Sequence, residues 1–404
     1  MLSVEEALAR ILAVFSPLAA EQVSVADALG RVLAEDVIAR VTQPPVAVSA
    51  MDGYAVRAAD VAKVPAALQV VGVAPAGGAY DAILEPGQAV RILTGGPVPA
   101  GAETIVIQEN VEVAGTTIKV LEGAEAGRFI RPAGLDFRSG DVGIAAGRRL
   151  GARDVGLAAA MNVPWISVHR RPRVAVLATG NEIVMPGDPL GPNQIVSSNA
   201  LALMSAIAAW GGEPINLGIA QDTRESLQAL AAGAKGADLL VTTGGASVGD
   251  HDLVQSALAE RGLAVDFWKI AMRPGKPLIF GRLGDTPLLG FPGNPVSSMV
   301  CAIIFLRPAL DRMLGLEGLA ELPVSARLGR DLDSNDGRQD YLRSRVARAP
   351  DGELVATPFD VQDSSMLSRL AQADCLVIRP PRAPAAKAGQ RVPVILLDAH
   401  LGSV

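Results

Sequence analysis

Hydrophobic positions change their period along this chain, and each change marks a change of architecture. At the start, Val4, Leu8, Ile11, Leu12 and Phe15 recur at helical spacing behind Ser3 and Glu6, which form a capping box. That spacing predicts one amphipathic helix. A short second helix is expected within residues 23–36, capped by Asp27. From 68 to 120 no helical period persists. Apolar runs at 68–73, 89–93, 104–113 and 116–120 are cut by Pro and Gly, which predicts a small all-β domain. Residues 152–161 return to an Ala-rich, helix-like pattern, so the β domain reads as an insertion into a first module.

At Arg173 the pattern changes again. RVAVLATG, ADLLVTTGG, PLIFGRL and TPLLGFPGNP each read as a buried strand or a strand running into a turn. Helical segments are expected at 199–209, 224–232, 253–261 and 296–314. The βα alternation predicts a mostly parallel, doubly wound sheet with helices on both faces. Beyond Leu314 helical patterning stops, and strands at 324–328, 341–347, 353–357, 375–379 and 392–397 predict a compact β module. The fold class is therefore multidomain α/β plus all-β.

Composition narrows the function. Of 404 residues half are apolar and only 3% aromatic, which suits α/β layers. The net charge is -6 and no stretch is dense in Lys and Arg, which disfavours a nucleic-acid partner. Cys301 and Cys375 lie far apart in apolar runs and read as reduced core thiols of a cytoplasmic protein. The acidic first helix is not an export signal, and no apolar run is long enough to span a bilayer, so no membrane association is expected.

The candidate chemistry centres on residues 237–255, ADLLVTTGGASVGDHDLVQ. Gly244 and Gly245 break a buried strand, and Ser247, Asp250 and Asp252 lead into a helix, the place where α/β sheets bind ligands. Carboxylates beside a helix N-terminus suit a Mg2+-phosphate site; equally, they only favour the helix dipole. Loops at the same end of such a sheet would bring in Thr179-Gly180-Asn181-Glu182, Asp222 and Pro292-Gly293-Asn294-Pro295. Pro295 at a helix start, followed by Ser297 and Ser298, leaves N–H donors free for an anion. Lys269, Arg273 and Lys276, around Pro274 and Gly275, form either a cationic clamp for oxyanions or a solvated turn. Nearer the start, Asp52 in SAMDGYAV is a turn former or an exposed acid, and Thr94 opens a glycine loop. Arg131, Asp136 and Arg138 share a loop in which mutual salt bridges are the simpler expectation. There is no P-loop and no G-x-S-x-G elbow, and His169, His251 and His400 lack zincin spacing.

Six motifs, SAMDGYAV, TGGPVPAGAETIV, ATGNEIV, TTGGASVGDHD, RPGKP and GFPGNPVSS, occur in order, and with them the chain resembles the molybdopterin molybdenumtransferases, the MoeA proteins and the gephyrin E domain. The resemblance implies four parts. These are an elongated N-terminal dimerisation domain in two pieces (1–43 and 138–168), an inserted β domain (44–137), a MogA/MoaB-like α/β domain (169–318) and a C-terminal β-barrel-like domain (319–404). It implies a homodimer with its active site between the α/β domain of one subunit and parts of the other. The reaction implied joins molybdate to adenylylated molybdopterin with Mg2+-dependent release of AMP, on substrate handed over by a MogA-type adenylyltransferase.

By resemblance, the catalytic residues are Asp52, Thr94, Asp136, Asp222, Lys269, Arg273 and Lys276. Glu182 and Asp252 hold the metal. Gly244, Gly245, Ser247, Asp250, Pro292, Gly293, Asn294, Pro295, Arg343 and Ser364 bind substrate, the last two in the molybdate region. The chain departs from the family in one place: where K-P-G-K-P is frequent it has Arg273-Pro274-Gly275-Lys276-Pro277, which keeps the charge and loses the compact ammonium. The alternatives are a dimeric interaction scaffold related to the gephyrin E domain, or an adenylyltransferase or nucleotide hydrolase sharing only the α/β domain.

Overall fold

The computed structural model describes residues 1–244, 253–316 and 323–397. The chain forms two compact units, one of Met1–Glu21, Gly30–Ala34 and Val168–Val404, the other of Gln22–Leu29 and Glu35–Ser167.

In the second unit six strands form one sheet in the order Thr104–Ile107, Gly53–Val56, Gln88–Ile92, Ala66–Ala74, Thr117–Val120 and Val111–Ala114. Side chains alternate across it. Tyr54 and Val56 enter a core with Leu68 and Ile118, whereas Ala55 joins Val90, Ile92 and Ile105 on the other side. The expected single strand over 104–113 is two strands, parted by a 3-10 turn at Gln108–Asn110. They are the two edges of the sheet, so the sheet curls until its edges are joined by that turn. Asp27 caps no helix: it ends the 3-10 turn Val25–Asp27, whose cap is Ser24, with Oγ accepting from the Ala26 N–H at 3.3 Å. One 3-10 turn needs only one such acceptor, and Ser24 is the hydroxyl in place. The helix Ala152–Ala160 starts on Gly151, whose N–H donates to the Asp154 carboxylate at 2.8 Å.

The first unit opens with the helix Val4–Leu12, and the expected Ser3/Glu6 capping box is present. Its Val4, Ala7 and Ile11 reach the main core. The six-stranded sheet of this unit runs Glu213–Ala220, Arg173–Thr179, Leu239–Thr243, Thr286–Phe291, Ile279–Leu283 and Leu263–Phe267. The first four are mutually parallel; Ile279–Leu283 is antiparallel to them, because a tight turn joins it to Thr286–Phe291, and Leu263–Phe267 pairs antiparallel with Ile279–Leu283. One face is covered by Asn199–Ala209 and the helical run from Pro295, the other by Arg224–Ala231 and Leu253–Ala259.

The helix expected over 296–314 is three segments: Pro295–Cys301, a π-helical turn at Ala302–Leu306 and Arg307–Met313. Pro308 has no N–H for the carbonyl four residues back, and the helix widens just before it. Downstream, the strands Gln339–Arg348, Leu354–Pro358, Val324–Leu328, Arg391–Leu396 and Cys375–Arg379 pair in that order, and the last pairs again with the first, closing a barrel. A helix at Leu367–Ala371 was not foreseen, since five residues are too few to display a helical period. Among the described residues no helix is long and apolar enough to cross a membrane.

Candidate active site

In the first unit, register decides where the chemistry gathers. Ala178 lies opposite Thr243, Thr243 opposite Phe291, and Thr179 opposite Ala220, so four parallel strands end level with one another. The loops that follow carry Gly180 to Glu182, Asp222, Gly244, and Pro292 to Pro295. All but the Asp222 loop contribute to the wall of a cavity of about 360 Å³, which includes Thr179, Glu182, Asn199, Gly244, Gly293 and Asn294.

The loops are stitched to each other. The Asn181 N–H donates to the Asp222 carboxylate at 3.3 Å, and the Asp222 N–H returns a bond to Asn181 Oδ1 at 3.0 Å. Asn199, at the start of its helix, donates from Nδ2 to Thr243 Oγ1 at 3.0 Å and to the Gly293 carbonyl at 2.8 Å. Gly244 has φ +93, and a Cβ there would lie 2.3 Å from the Thr179 carbonyl oxygen, so only glycine lets the two strand ends approach this closely.

The helix start at Pro295 is less open to an anion than its sequence suggests. The Val296 N–H is taken by the Ser364 carbonyl at 3.1 Å. Asn294 Nδ2 donates to Ser364 Oγ at 2.7 Å, so the barrel loop bearing Ser364 seats on the helix end. That loop hangs from Arg343. The Arg343 N–H and carbonyl bond the Gln362 side-chain amide, each at 2.9 Å, and Nη2 donates to the Asp363 carbonyl at 3.2 Å. Arg343 is 1% exposed, its Nε has no partner among the described residues, and burial pulls its pKa down to about 10. A buried guanidinium with a spare donor is costly unless an acceptor reaches it.

The basic loop is not a row of free cations. Lys269 Nζ sits 3.6 Å from the Trp268 ring centroid, and Arg273 forks onto Asp340 at 2.8 and 2.6 Å. Met272 and Arg273 pair with Gln339 and Asp340 as a short parallel bridge, which aims the fork. Lys276 is half-buried; its carbonyl accepts from the Ile270 and Leu278 N–H groups, and its side chain makes no hydrogen bond or ion pair among the described residues.

In the second unit, Asp52 Oδ1 accepts from the Thr94 N–H at 2.7 Å and from Thr94 Oγ1 at 2.8 Å. These bonds, the backbone one first, hold the Asp52 carboxyl below the usual carboxylate range. Its neighbour Gly53 lies against the adjoining strand, where a Cβ would be 2.1 Å from the Val106 carbonyl oxygen. Asp136 is exposed, its carboxylate has no partner among the described residues, and the salt bridges expected between it, Arg131 and Arg138 do not form. Arg138 instead bonds Asp141 through its N–H and the Ala133 carbonyl through Nη2. A wider hollow of about 1080 Å³ in this unit is walled mainly by alanines, with Glu125 and Arg128, and gathers none of the expected residues.

Gly245, Ser247, Asp250 and Asp252 lie outside the described residues. Among the described residues no three acids or imidazoles converge as a metal site, and exposed Glu182 is the acid in the cavity wall, an oxygen donor suited to a hard cation. Sequence reasoning overlooked Asn199, Asp340 and Gln362. For Asn199 one signal existed, a polar residue opening an otherwise apolar helix; the others are recognisable only by their partners.

Three family models match the chain. They are described as MoeA N-terminal region (domain I and II) over residues 2–162, Probable molybdopterin binding domain over 175–312, and MoeA C-terminal region (domain IV) over 325–397. A Nostoc sp. protein named Molybdopterin molybdenumtransferase is 35% identical across 87% of this chain and 83% of its own. A protein of the same name from Haemophilus influenzae is 31% identical across 100% of both chains. Among solved structures, the molybdopterin biosynthesis MoeA protein from Pyrococcus horikosii superposes with a TM-score of 0.85 at 33% identity, over 99% of this chain and 100% of that one.

Proposed function

Because the chain belongs to the molybdopterin molybdenumtransferase (MoeA) family, we propose that it joins molybdate to the dithiolene of adenylylated molybdopterin and releases AMP. The single observation that carries this reading is the level ending of four parallel strands, which brings Glu182, Asn199, Gly244 and the Gly293–Asn294 turn around one cavity. Such an end, with glycines where a phosphate must approach backbone and an acid beside it, suits a metal-bridged phosphoanhydride.

Roles follow from chemistry. Glu182, with Asp252, would hold Mg2+, which when bound neutralises phosphate charge. Gly244, Gly245, Ser247, Asp250 and the Pro292 to Pro295 turn cradle the substrate, and Asp222 fixes the Glu182 loop through Asn181. Lys276 offers an uncommitted positive charge, and Arg343 with Ser364 offers donors to the oxyanion of molybdate. Lys269, paired with Trp268, and Arg273, paired with Asp340, act by shaping the basic loop. Asp52, kept ionised by Thr94, and Asp136 are the acids of the second unit that act on the substrate. The enzyme works as a cytoplasmic homodimer on small molecules supplied by a MogA-type adenylyltransferase. Catalysis is positioning and charge neutralisation, with no covalent enzyme intermediate.

AMP release from adenylylated molybdopterin with Mg2+, measured with and without molybdate, tests this. Molybdate-dependent release that yields a cofactor able to reconstitute an apo-molybdoenzyme is the expected result. Release indifferent to molybdate would make the protein a hydrolase, and no release from folded, substrate-binding protein would make it a scaffold or carrier.

A further inference from the structure

Asn199 joins two loops of the cavity through a single side chain. It stands at the first position of the helix Asn199–Ala209 and lines the cavity. Its one amide nitrogen spends both hydrogens on different loops, at 3.0 Å to Thr243 Oγ1 and at 2.8 Å to the Gly293 carbonyl. Thr243 is 2% exposed, and its hydroxyl otherwise has only long contacts, 3.4 Å to Ser298 Oγ and 3.5 Å to the Pro292 carbonyl. The next residue, Gly244, lies just past the last paired positions of the two strands, Thr243 and Phe291, and its N–H reaches the Phe291 carbonyl only at 3.3 Å, a long bond.

We propose that Asn199 is a positioning residue: it clips the Thr243–Gly244 strand end to the Pro292 to Pro295 turn, and so fixes the wall of the substrate cradle that these two segments share. The inference rests on the transferase reading for its catalytic consequence, and on geometry alone for the clip. The clip carries the chemistry because the two segments it joins are neighbours in one wall of the cavity, where a Cβ on Gly293 would lie 3.6 Å from the Gly244 Cα. No other side chain among the described hydrogen bonds joins the Thr243 side chain to Gly293. An error of about 1 Å in their separation costs on the order of 100-fold in rate where catalysis is positioning.

The test uses the full-length protein and the variants Asn199→Ala, Thr243→Val, Thr243→Ser and the Asn199→Ala/Thr243→Val pair. In amide hydrogen exchange, Asn199→Ala should accelerate the segment ending at Gly244 by about 10-fold while the rest of the sheet is unchanged; equal exchange in parent and variant would overturn the clip. For AMP release, Asn199→Ala and Thr243→Val should each lower kcat about 10- to 100-fold with KM changed less than about 3-fold. The double variant should lose little more than either single one, and Thr243→Ser, which keeps the acceptor, should stay within about 3-fold of the parent. Multiplicative losses, or a loss confined to KM, would remove Asn199 from this role. If the parent releases no AMP, the transferase reading fails on its own, and the exchange result still decides the clip.

Discussion

The Arg273 guanidinium donates from Nε and Nη2 to the two carboxylate oxygens of Asp340, at 2.8 and 2.6 Å, across 67 positions of sequence. Asp340 is almost fully buried while Arg273 is half exposed, so the pair is unequal: losing the arginine leaves a buried carboxylate alone. This ties the basic loop to the barrel and explains why a planar fork serves at a position where the family often has lysine.

Arg273→Ala should therefore destabilise the protein by about 2–3 kcal/mol and Arg273→Lys by about 1 kcal/mol, whereas Arg273→Met with Asp340→Leu should be near neutral. Urea denaturation of the three variants checks this. Equal stability of the alanine variant and the parent would free Arg273 for a direct part in binding oxyanions.

Asp52 should be ionised throughout the neutral range, since Thr94 holds its pKa below the ordinary value through its N–H and then its hydroxyl. Thr94→Val removes the hydroxyl and keeps the N–H, so the Asp52 pKa rises and the acid limb of AMP release moves to higher pH. Asp52→Asn should cut the rate about 100-fold or more while the protein stays folded. A pH profile that Thr94→Val leaves in place would show that another group titrates in that limb.

Asp238 offers a stability test away from the cavity. Burial alone would raise its pKa, but the two 2.7 Å bonds from Arg170, and the Arg173 N–H at 2.8 Å, outweigh burial and the net shift is downward. A depressed native pKa stabilises the fold fully above the unfolded value of about 3.9, and the benefit is lost as pH falls through the lower native value. Asp238→Asn should be less stable than the parent by about 1–2 kcal/mol at pH 7, with the gap narrowing below about pH 4. A gap that is constant with pH would assign the loss to packing.

Gly244→Ala combines two penalties, a positive φ of +93 and a Cβ 2.3 Å from backbone oxygen. It should cost about 2–4 kcal/mol and widen the cavity mouth, reducing AMP release in whatever protein folds. Thermal unfolding close to the parent's would mean that the strand end has room the geometry denies. Gly284→Ala is the control for left-handed backbone alone: φ is +58 and nothing lies within 4 Å of a Cβ, so about 1 kcal/mol is expected.

How far the sequence reaches can be seen in particular elements. The capped first helix, the strand Arg173–Thr179 and the helix Asn199–Ala209 were readable because their signals are local: a capping box, an apolar β-branched run, a repeat of apolar positions. The π-helical turn before Pro308 and the break at Gln108–Asn110 were not, since each answers a demand from outside its own segment, a missing N–H four residues on or two sheet edges that must be joined. The order of six motifs was enough to place the chain beside its family, because an ordered series is improbable by chance even when each member is weak.

Partnerships were the part that only tertiary structure decided. Nothing in the residues around Arg273 announces Asp340, nothing near Arg343 announces that Gln362 and Asp363 will hang from it, and nothing at Asn199 announces Thr243 and Gly293. Which strand lies beside which, and at what register, fixes these distances, and register is a property of the packed sheet as a whole. The sequence by itself determined the elements, their order and the kind of chemistry available. Folding decided which charges are spent on one another, which donor is left over, and where four loops end level enough to hold one substrate.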